Sequence, residues 1–486
     1  MNFIFFFPDE MSAGTLSSYG NPYCRTPHLD KLASEGTLFE NCFVQNPVCS
    51  PSRCSLMTGT YVHNRGHRTL WNLLKKDEPS LFRYLKNAGY QIRWYGKNDL
   101  YSKEYLEEIC TDIEEKRKEK DSFSVTFDST KNHFSSDEPG FHSFWFENTT
   151  SNEDGNIPID PDVAKAIGFL ESFTENDPPF FLYLPIDMPH PPYCTMEPFQ
   201  NMYSPEDLKD TLQDPLDGKP SYEALIRKYR HLEHLPKELF AHIYSIYLGA
   251  CSYVDYLFGK LDETLEKCGL KEDTVIIFSS DHGDWHGMRK LVEKWPNAMD
   301  DELLHVPLIM RIPGGKKGHI VKEQTELFDI MATVLDLAKL PCKHTHFAHS
   351  LVPQLHGAKG DPQRFVYSEG GYDTHEPHCF EGYSGRGGIN TDDPIASIYA
   401  PKQMQQQEHP ESVCRTVMIR SLEFKLVRRT SGENEMYDLQ NDPLETRNLY
   451  HDNQFEDHRR ELEDRLLDWY LHTSDTVPSE EDSRNF

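Results

Sequence analysis

The sequence predicts an α/β protein: a mixed, mostly parallel sheet sandwiched by helices, followed by a smaller C-terminal α+β subdomain. Three observations point that way. Short apolar runs, the first at Asn2 to Phe7, have the length and composition of strands buried on both faces. Helical stretches separate them, and strands alternating with helices imply parallel pairing. From about residue 355 the character changes to loops rich in Gly, Pro, His and Gln, then a hairpin and a last helix.

The first run, NFIFFF, is stopped by Pro8. Residues 28–39 (HLDKLASEGTLF) read as an amphipathic helix with a glycine stop. Leu81 to Gly89 reads as a helix and Tyr90 to Tyr95 as the strand after it. Val163 to Phe173 is a helix followed by the strand Phe180 to Leu184. Phe240 to Cys268 is a long helical stretch leading into the buried strand Thr274 to Ser279, and Leu308 to Ile312 is a further strand. Residues 104–121 are charge-rich and helical, a solvated insertion. Residues 200–236 are polar and proline-punctuated, a second insertion. Thr416 to Arg429 and Glu435 to Leu439 read as a hairpin, and 455–471 as the final helix. The expected division is a catalytic α/β domain over 1–355 and a C-terminal subdomain over 356–486, with a small antiparallel sheet and the terminal helix. No internal repeat is visible.

At 486 residues the chain is too long for one ordinary compact domain, and 37% hydrophobic residues supply a sizeable core. The formal charge of −29 argues against nucleic acid or an anionic membrane as partner, since both need a basic face. Any site for an anion must therefore be local. Eleven scattered cysteines form neither a disulfide framework nor a zinc-finger spacing. Phe3 to Phe7 is too short for a secretory core or a membrane span, and no basic segment precedes it. The chain as given reads as cytoplasmic, although one trimmed of a leader would look the same.

The central motif is Cys49-Ser50-Pro51-Ser52-Arg53. Pro51 suits a first helical turn, and Ser52 can help cap it. Cys49 thus starts a helix, where backbone N–H groups favour an anion, and Arg53 follows four residues on. Asp9 ends the first strand and Asp281-His282 follows another, and carboxylates at strand ends face the crevice of a parallel sheet. Lys97 follows the strand ending at Tyr95, and His190 lies in the proline-rich loop after Leu184.

These residues resemble the formylglycine-dependent sulfatase family of the alkaline phosphatase-like superfamily. Cys49 to Arg53 matches its C-x-P-S-R signature. The likeness continues through YGNP (19–22), TPHLDKLASEGTLFENCF (26–43) and TGTYVHNRG (58–66), and returns in MYDLQNDPLETRNL (436–449). It covers nearly the whole chain and is weakest at 100–160 and 195–240.

The resemblance implies that Cys49 is oxidised to formylglycine by a formylglycine-generating or anaerobic sulfatase-maturating enzyme. The hydrate of that group attacks sulfur, and Arg53 holds the hydrate and the metal side. It implies a divalent metal, Ca²⁺ by preference for oxygen ligands, with Mg²⁺ or Mn²⁺ admitted by a histidine ligand. The ligands would be Asp9, Glu10, Cys49, Asp281 and His282. Lys97 would hold sulfate oxygens, His190 would bind one or protonate the leaving oxygen, and Lys294 would neutralise that oxygen, with Lys290 a competitor. Two positions depart from the family pattern: Glu10 replaces a second aspartate, and Asp99 stands where G-K-x-H has histidine.

The substrate, a small sulfated sugar or aryl ester, is less marked. His63, His67, Arg68, Trp71, Asp99, His375, His378 and Arg386 are candidates to line its pocket. Three other readings stay open. Related formylglycine enzymes hydrolyse phosphonate or phosphate esters, and can lack a second N-terminal aspartate and carry Asp-His at the later metal site. A catalytically silent binding protein on this scaffold is permitted by Glu10 and Asp99, against an intact Cys49 and Arg53. A hydrolase using unmodified Cys49 would gain from a helix N-terminus that acidifies the thiol, but no Cys–His pairing shows in the local sequence.

Overall fold

The computed structural model describes residues 1–111, 130–148, 156–213, 216–373, 375–376 and 394–477. In chain order its strands are β1 (Asn2–Phe6), β2 (Thr37–Phe43), β3 (Gln91–Trp94), β4 (Thr130–Asn132), β5 (Phe146–Asn148), β6 (Phe180–Leu184), β7 (Thr274–Ser279), β8 (His305–Arg311), β9 (His319–Glu326), β10 (Val366–Gly370), β11 (Thr416–Arg420), β12 (Phe424–Arg429) and β13 (Glu435–Asp438).

Seven of them form one sheet in the order β3-β6-β1-β7-β8-β2-β9. β3, β6, β1 and β7 pair in parallel. β8 runs antiparallel to both β7 and β2, while β2 and β9 are parallel. Because β8 is the reversed strand, the C-terminal ends of β1, β2, β3, β6 and β7 and the N-terminal end of β8 share one edge. All the segments that carry the predicted chemistry leave from that edge.

Both faces of the sheet are covered, as the apolar strands require. Phe3 and Phe5 of β1 face a layer that includes the helices Cys49–Thr58, Leu81–Asn87 and Asp329–Leu337. Ile4 and Phe6 face the other layer, built from Pro27–Glu35, Pro161–Ser172 and the long helix Lys237–Lys267. A second, antiparallel sheet, β10-β11-β12-β13, packs with the terminal helix Glu456–Thr473. There the Trp469 ring stacks on Tyr367 with centroids 4.7 Å apart.

The sequence reading needs correction in several places. The helix expected over 28–39 ends at Glu35, and Thr37 starts β2. Gly36 makes that switch possible, since a Cβ there would lie 2.3 Å from the Met310 carbonyl oxygen of β8. β9 and the helix Asp329–Leu337 were not anticipated. Of the charge-rich stretch 104–121, the helix Lys103–Ile109 is described and buries Tyr105 and Ile109; residues 112–121 lie outside the described residues. The polar stretch 200–236 is not merely a surface insertion: Tyr222 and Glu223 are buried, and Arg230 reaches the interior.

Asp255 of the long helix shows how the helical layer is fixed. Its carboxylate accepts hydrogen bonds from the backbone N–H groups of Leu29 at 2.7 Å and His28 at 3.3 Å, the orphan donors of the helix Pro27–Glu35. Burial pushes the Asp255 carboxyl up to about 7, although these two N–H groups pull it down. A raised native pKa means that this group's contribution is full below the unfolded value of about 4 and is lost as pH rises through about 7. Asp255→Asn keeps an acceptor but cannot ionise. Thermal melts between pH 5 and pH 8 are expected to fall less steeply with pH in the variant than in the wild type.

Candidate functional site

The site forms where buried charges converge on the shared sheet edge. Asp9, just past β1, is fully buried, and its backbone N–H donates to the Ile186 carbonyl after β6. Asp281 and His282, just past β7, are also fully buried. Ser280 locks the two strand ends together: its Oγ donates to the Pro8 carbonyl and accepts from the Met11 N–H, each at 2.8 Å.

Cys49 opens the helix Cys49–Thr58, all ten of whose residues are buried. Ser52 does not cap this helix. Its hydroxyl donates to the Asp281 carbonyl at 2.6 Å and so ties the helix to the β7 end. Arg53, one turn beyond Cys49 on the same face, clamps both carboxylates. Its Nε donates to Asp281 Oδ2 at 2.8 Å, and its Nη2 lies 2.8 Å from Asp281 Oδ2 and 3.3 Å from Asp9 Oδ2.

The remaining oxygens meet the other donors. Cys49 Sγ lies 3.6 Å from Asp9 Oδ1 and 3.2 Å from His282 Nε2. His282 Nδ1 is 2.8 Å from the Gly283 carbonyl, which can only accept. Nδ1 therefore carries a proton, and Nε2 is the nitrogen that faces Cys49. One ligand atom each from Asp9, Cys49, Asp281 and His282 lies within 4.8 Å of the others. Two carboxylates, an imidazole nitrogen and a position beside the nucleophile make a donor set that fits a divalent cation, with Arg53 as the partner that orients the carboxylates.

Lysines border this cluster on two sides. Lys97 pairs with Asp9, sits 3.0 Å from Asp99 Oδ2 and lies 3.9 Å from Cys49 Sγ. It follows Gly96, where φ is 128° and a Cβ would meet the Pro185 carbonyl oxygen at 2.2 Å. Lys294 comes from the loop before β8, and its ammonium contacts Glu10 Oε2 at 2.8 Å and His190 Nε2 at 3.0 Å. Lys290 instead reaches the Glu233 carbonyl. Glu10 has a left-handed φ of 68° that turns its side chain to Lys294. It does not join the four-residue group but groups with Asp9 and His190.

The charge balance is visible in the proton affinities. Burial would raise Asp9, but the Lys97 ammonium and the Arg53 guanidinium beside it hold it well below the usual carboxylate range. Burial pushes the Glu10 carboxyl well above it, against the pull of Lys294. Burial, reinforced by Lys294 and Lys97, keeps His190 neutral. His190 Nδ1 lies 2.6 Å from the Pro191 carbonyl, so its Nε2 accepts from Lys294 and has no proton of its own to give. Burial and the adjacent Asp9 push the Cys49 thiol well above its ordinary value. The Cys–His pairing absent from the local sequence does exist here, with His282, but the thiol beside it is the opposite of an acidified nucleophile.

The family model described as Sulfatase matches residues 1–340. The chain belongs to the sulfatase family. It is a sulfuric ester hydrolase on the alkaline phosphatase-like fold. A second model, N-sulphoglucosamine sulphohydrolase, C-terminal, matches residues 397–471 of this sulfatase. The uncharacterized sulfatase YidJ of Escherichia coli (strain K12) is 27% identical over 480 residues, 96% of this chain and 86% of that protein. The N-acetylglucosamine-6-O-sulfatase of Bacteroides thetaiotaomicron is 24% identical over 553 residues, 99% of this chain and 88% of that protein. The phosphonate monoester hydrolase of Agrobacterium radiobacter shares the fold with a TM-score of 0.70 at 22% identity, over 97% of this chain and 96% of that one.

Several residues expected to read substrate are engaged elsewhere. The His63 side chain is nearly covered and both ring nitrogens are used, towards Glu369 at 2.8 Å and the Thr473 carbonyl at 2.7 Å, so it docks the terminal helix. His67 bridges the Asn72 carbonyl and Glu78, and Arg68 faces Glu369. Trp71 is exposed, and His375 is an exposed residue bonded to Asp373. His378 and Arg386 lie outside the described residues. Asp99 alone among the described candidates touches a site residue, Lys97.

The sequence reading missed Asp284, Tyr193 and Glu293. The Tyr193 hydroxyl donates to Asp284 Oδ1 at 2.7 Å and accepts from the Glu293 N–H at 2.8 Å, joining the loops that carry His190, His282 and Lys294. Asp284 is visible as the second acid of D-H-G-D; Tyr193 and Glu293 leave no local signal. Gly96→Ala must move Lys97 or the Pro185 backbone. It is expected to lower kcat on a sulfate ester about 100-fold, the cost of an ångström-scale misplacement, with secondary structure by circular dichroism unchanged.

Proposed function

We propose that this sulfatase hydrolyses a sulfated sugar in the cytoplasm, with Cys49, as formylglycine, supplying the nucleophile and Ca²⁺ held by Asp9, Asp281, His282 and the modified Cys49. The observation that carries the reading is the buried four-donor group, flanked by Lys97 on one side and Lys294 on the other. The sugar is supported by the N-acetylglucosamine-6-O-sulfatase relative and by the N-sulphoglucosamine sulphohydrolase C-terminal match. The location is supported by the ten described cysteines, all of which are free thiols.

The modified Cys49 brings a hydrated aldehyde whose hydroxyl attacks sulfur, and the cation brings Lewis-acid stabilisation of charge on sulfate oxygen. The chain's own residues then divide the work. Arg53 fixes the orientation of Asp9 and Asp281 and keeps their charge in place. Lys97 donates to a sulfate oxygen on the side of Cys49. Lys294 offsets the charge that develops on the leaving oxygen as the S–O bond breaks. His190, an acceptor in this arrangement, aims the Lys294 ammonium. Glu10 is a hydrogen-bond acceptor for Lys294 rather than a metal ligand. The phosphonate reading keeps Glu10 in place of a second aspartate, Asp281-His282 and a likeness of fold, against the sulfatase match over residues 1–340, and the silent-scaffold reading leaves this set of charged groups without a purpose.

The first test is mass spectrometry of the tryptic peptide ending at Arg53, with 4-nitrophenyl sulfate and phosphonate ester assays on the same preparation. A loss of about 18 Da, cysteine to formylglycine, with faster turnover of the sulfate ester is the expected result. Faster turnover of the phosphonate ester, or an active enzyme whose Cys49 is unmodified, would overturn the reading. Cys49→Ala is expected to lower kcat by about 10⁴-fold or more. Metal content is a separate expectation. Elemental analysis should find one calcium per chain in the wild type and in Glu10→Gln, and a loss of most of it in Asp281→Asn and His282→Ala; calcium lost equally from Glu10→Gln would return Glu10 to the ligand set.

A further inference from the structure

The loop that carries Lys294 has no regular structure between Leu291 and Asp300, yet it is wholly buried over Leu291 to Asp300. What holds it comes from the other end of the chain. Trp295 Nε1 donates to the Ser412 carbonyl at 2.7 Å, and Asn297 Nδ2 to the Cys414 carbonyl at 3.0 Å. The Gly371 N–H donates to the Pro296 carbonyl at 2.9 Å, and Arg429 Nη1 to the Asn297 carbonyl at 2.6 Å.

The decisive contact lies next to Lys294 itself. Glu293 has a left-handed φ of 66° and is 2% exposed. Its Oε1 lies 2.9 Å from Lys402 Nζ and 3.7 Å from Lys294 Nζ, while its Oε2 lies 2.7 Å from Arg230 Nη2. Lys402 belongs to the helix Pro394–Glu408, is 1% exposed, and places its ammonium over the Trp295 ring at 5.9 Å. One carboxylate is thus shared by three cations, two of them closer to it than Lys294. Lys294 stays on the side of Glu10 and His190, at 2.8 and 3.0 Å.

We propose that Lys402 is a positioning residue for the sulfatase reaction: by neutralising Glu293, it keeps the Lys294 ammonium free to face the leaving-group oxygen. Lys402 touches no reacting atom. Removing it leaves a buried carboxylate that is undercompensated, and such a charge recruits the nearest cation. Arg230 already holds Oε2, and Lys294, 3.7 Å from the Oε1 that Lys402 vacates, is the cation within reach of that oxygen. The ammonium then closes on Glu293 and leaves its place beside Glu10 and His190. The C-terminal part of the chain would in this way complete the active site without contributing a catalytic residue.

This inference rests on the proposed role of Lys294 at the leaving oxygen, and the test separates the two. The matured, full-length enzyme is compared as wild type, Lys402→Met, Lys402→Arg, Lys294→Met and the Lys294→Met/Lys402→Met double variant, on 4-nitrophenyl sulfate and phenyl sulfate. Phenyl sulfate, the poorer leaving group, needs more charge neutralisation. Lys402→Met is expected to lose about 100-fold in kcat on phenyl sulfate and much less on 4-nitrophenyl sulfate, with KM unchanged. Lys402→Arg restores the rate, and the double variant is no slower than Lys294→Met.

A loss of equal size on both esters, or a double variant slowed by the product of the two single effects, overturns the proposal, because a structural defect does not depend on the leaving group. Lys294→Met impaired with Lys402→Met intact overturns this inference alone. Lys294→Met intact on both esters overturns the assignment of Lys294 and this inference with it. If Lys402→Met does not fold, Lys402→Gln, which keeps a hydrogen-bond donor for Glu293 but no charge, decides by the same leaving-group comparison.

Discussion

Two carboxylates without solvent, Asp9 and Asp281, sit on neighbouring strand ends, and one guanidinium holds them both. Burying even one ionised carboxylate is prohibitive unless it is paired and hydrogen-bonded. The Arg53 clamp meets that demand, and its consequences spread outward. It requires the helix Cys49–Thr58 to stand over the junction of β1 and β7, and that helix delivers Cys49 to the open sides of the same carboxylates. Phe7 lies under the guanidinium at 5.3 Å, and Ser52 bonds the Asp281 backbone, so helix, strands and charge cluster constrain one another.

The sheet topology explains why residues so distant in sequence can meet there. A parallel array puts its C-terminal ends on one edge, which accounts for Asp9, Lys97, His190 and Asp281. Cys49 and Lys294 need more. β8 reverses direction between β7 and β2, so β2 again points the same way as β1, and the segment entering β8 starts from the common edge. A single antiparallel strand thereby adds both the nucleophile and the leaving-group lysine to a crevice that the parallel half alone could not complete.

This also decides how much was legible in the sequence. The apolar strands β1, β6 and β7 announce themselves as continuous hydrophobic runs because they are buried on both faces, and the acids that follow them are read with them. β2 hid behind Gly36, whose backbone-to-backbone approach to Met310 looks in sequence like a helix stop and nothing more. β9 (HIVKEQTE) hid because its first half is partly exposed, so it lacks an apolar run. His63 and Trp71 looked like substrate readers because histidine and tryptophan in a polar segment advertise chemistry. Whether an imidazole is already spent on Glu369 and a backbone carbonyl depends on a helix four hundred residues away. Lys402 was invisible for the same reason: its meaning lies in Glu293, a contact across 109 residues.

The arrangement also accounts for how a chain of net charge −29 handles an anion. Around the nucleophile, Asp9, Asp281 and Asp99 face Arg53 and Lys97, while Lys294 is bonded to the Glu10 carboxyl, which burial raises; all but Lys97 and Asp99 are nearly or wholly buried. Such a set is close to neutral and has little attraction for sulfate in spite of its lysines, each already committed to a carboxyl group at hydrogen-bond distance. A divalent cation in the four-donor group changes this. It would balance the charge of Asp9 and Asp281 and so supply the positive charge that a sulfate needs inside an acidic shell. Cation and substrate anion would then be thermodynamically linked, each raising the affinity for the other by the same factor. The acidic exterior repels stray anions, so selectivity for a bound sulfate ester rests on the loaded pocket and not on the charge of the protein as a whole.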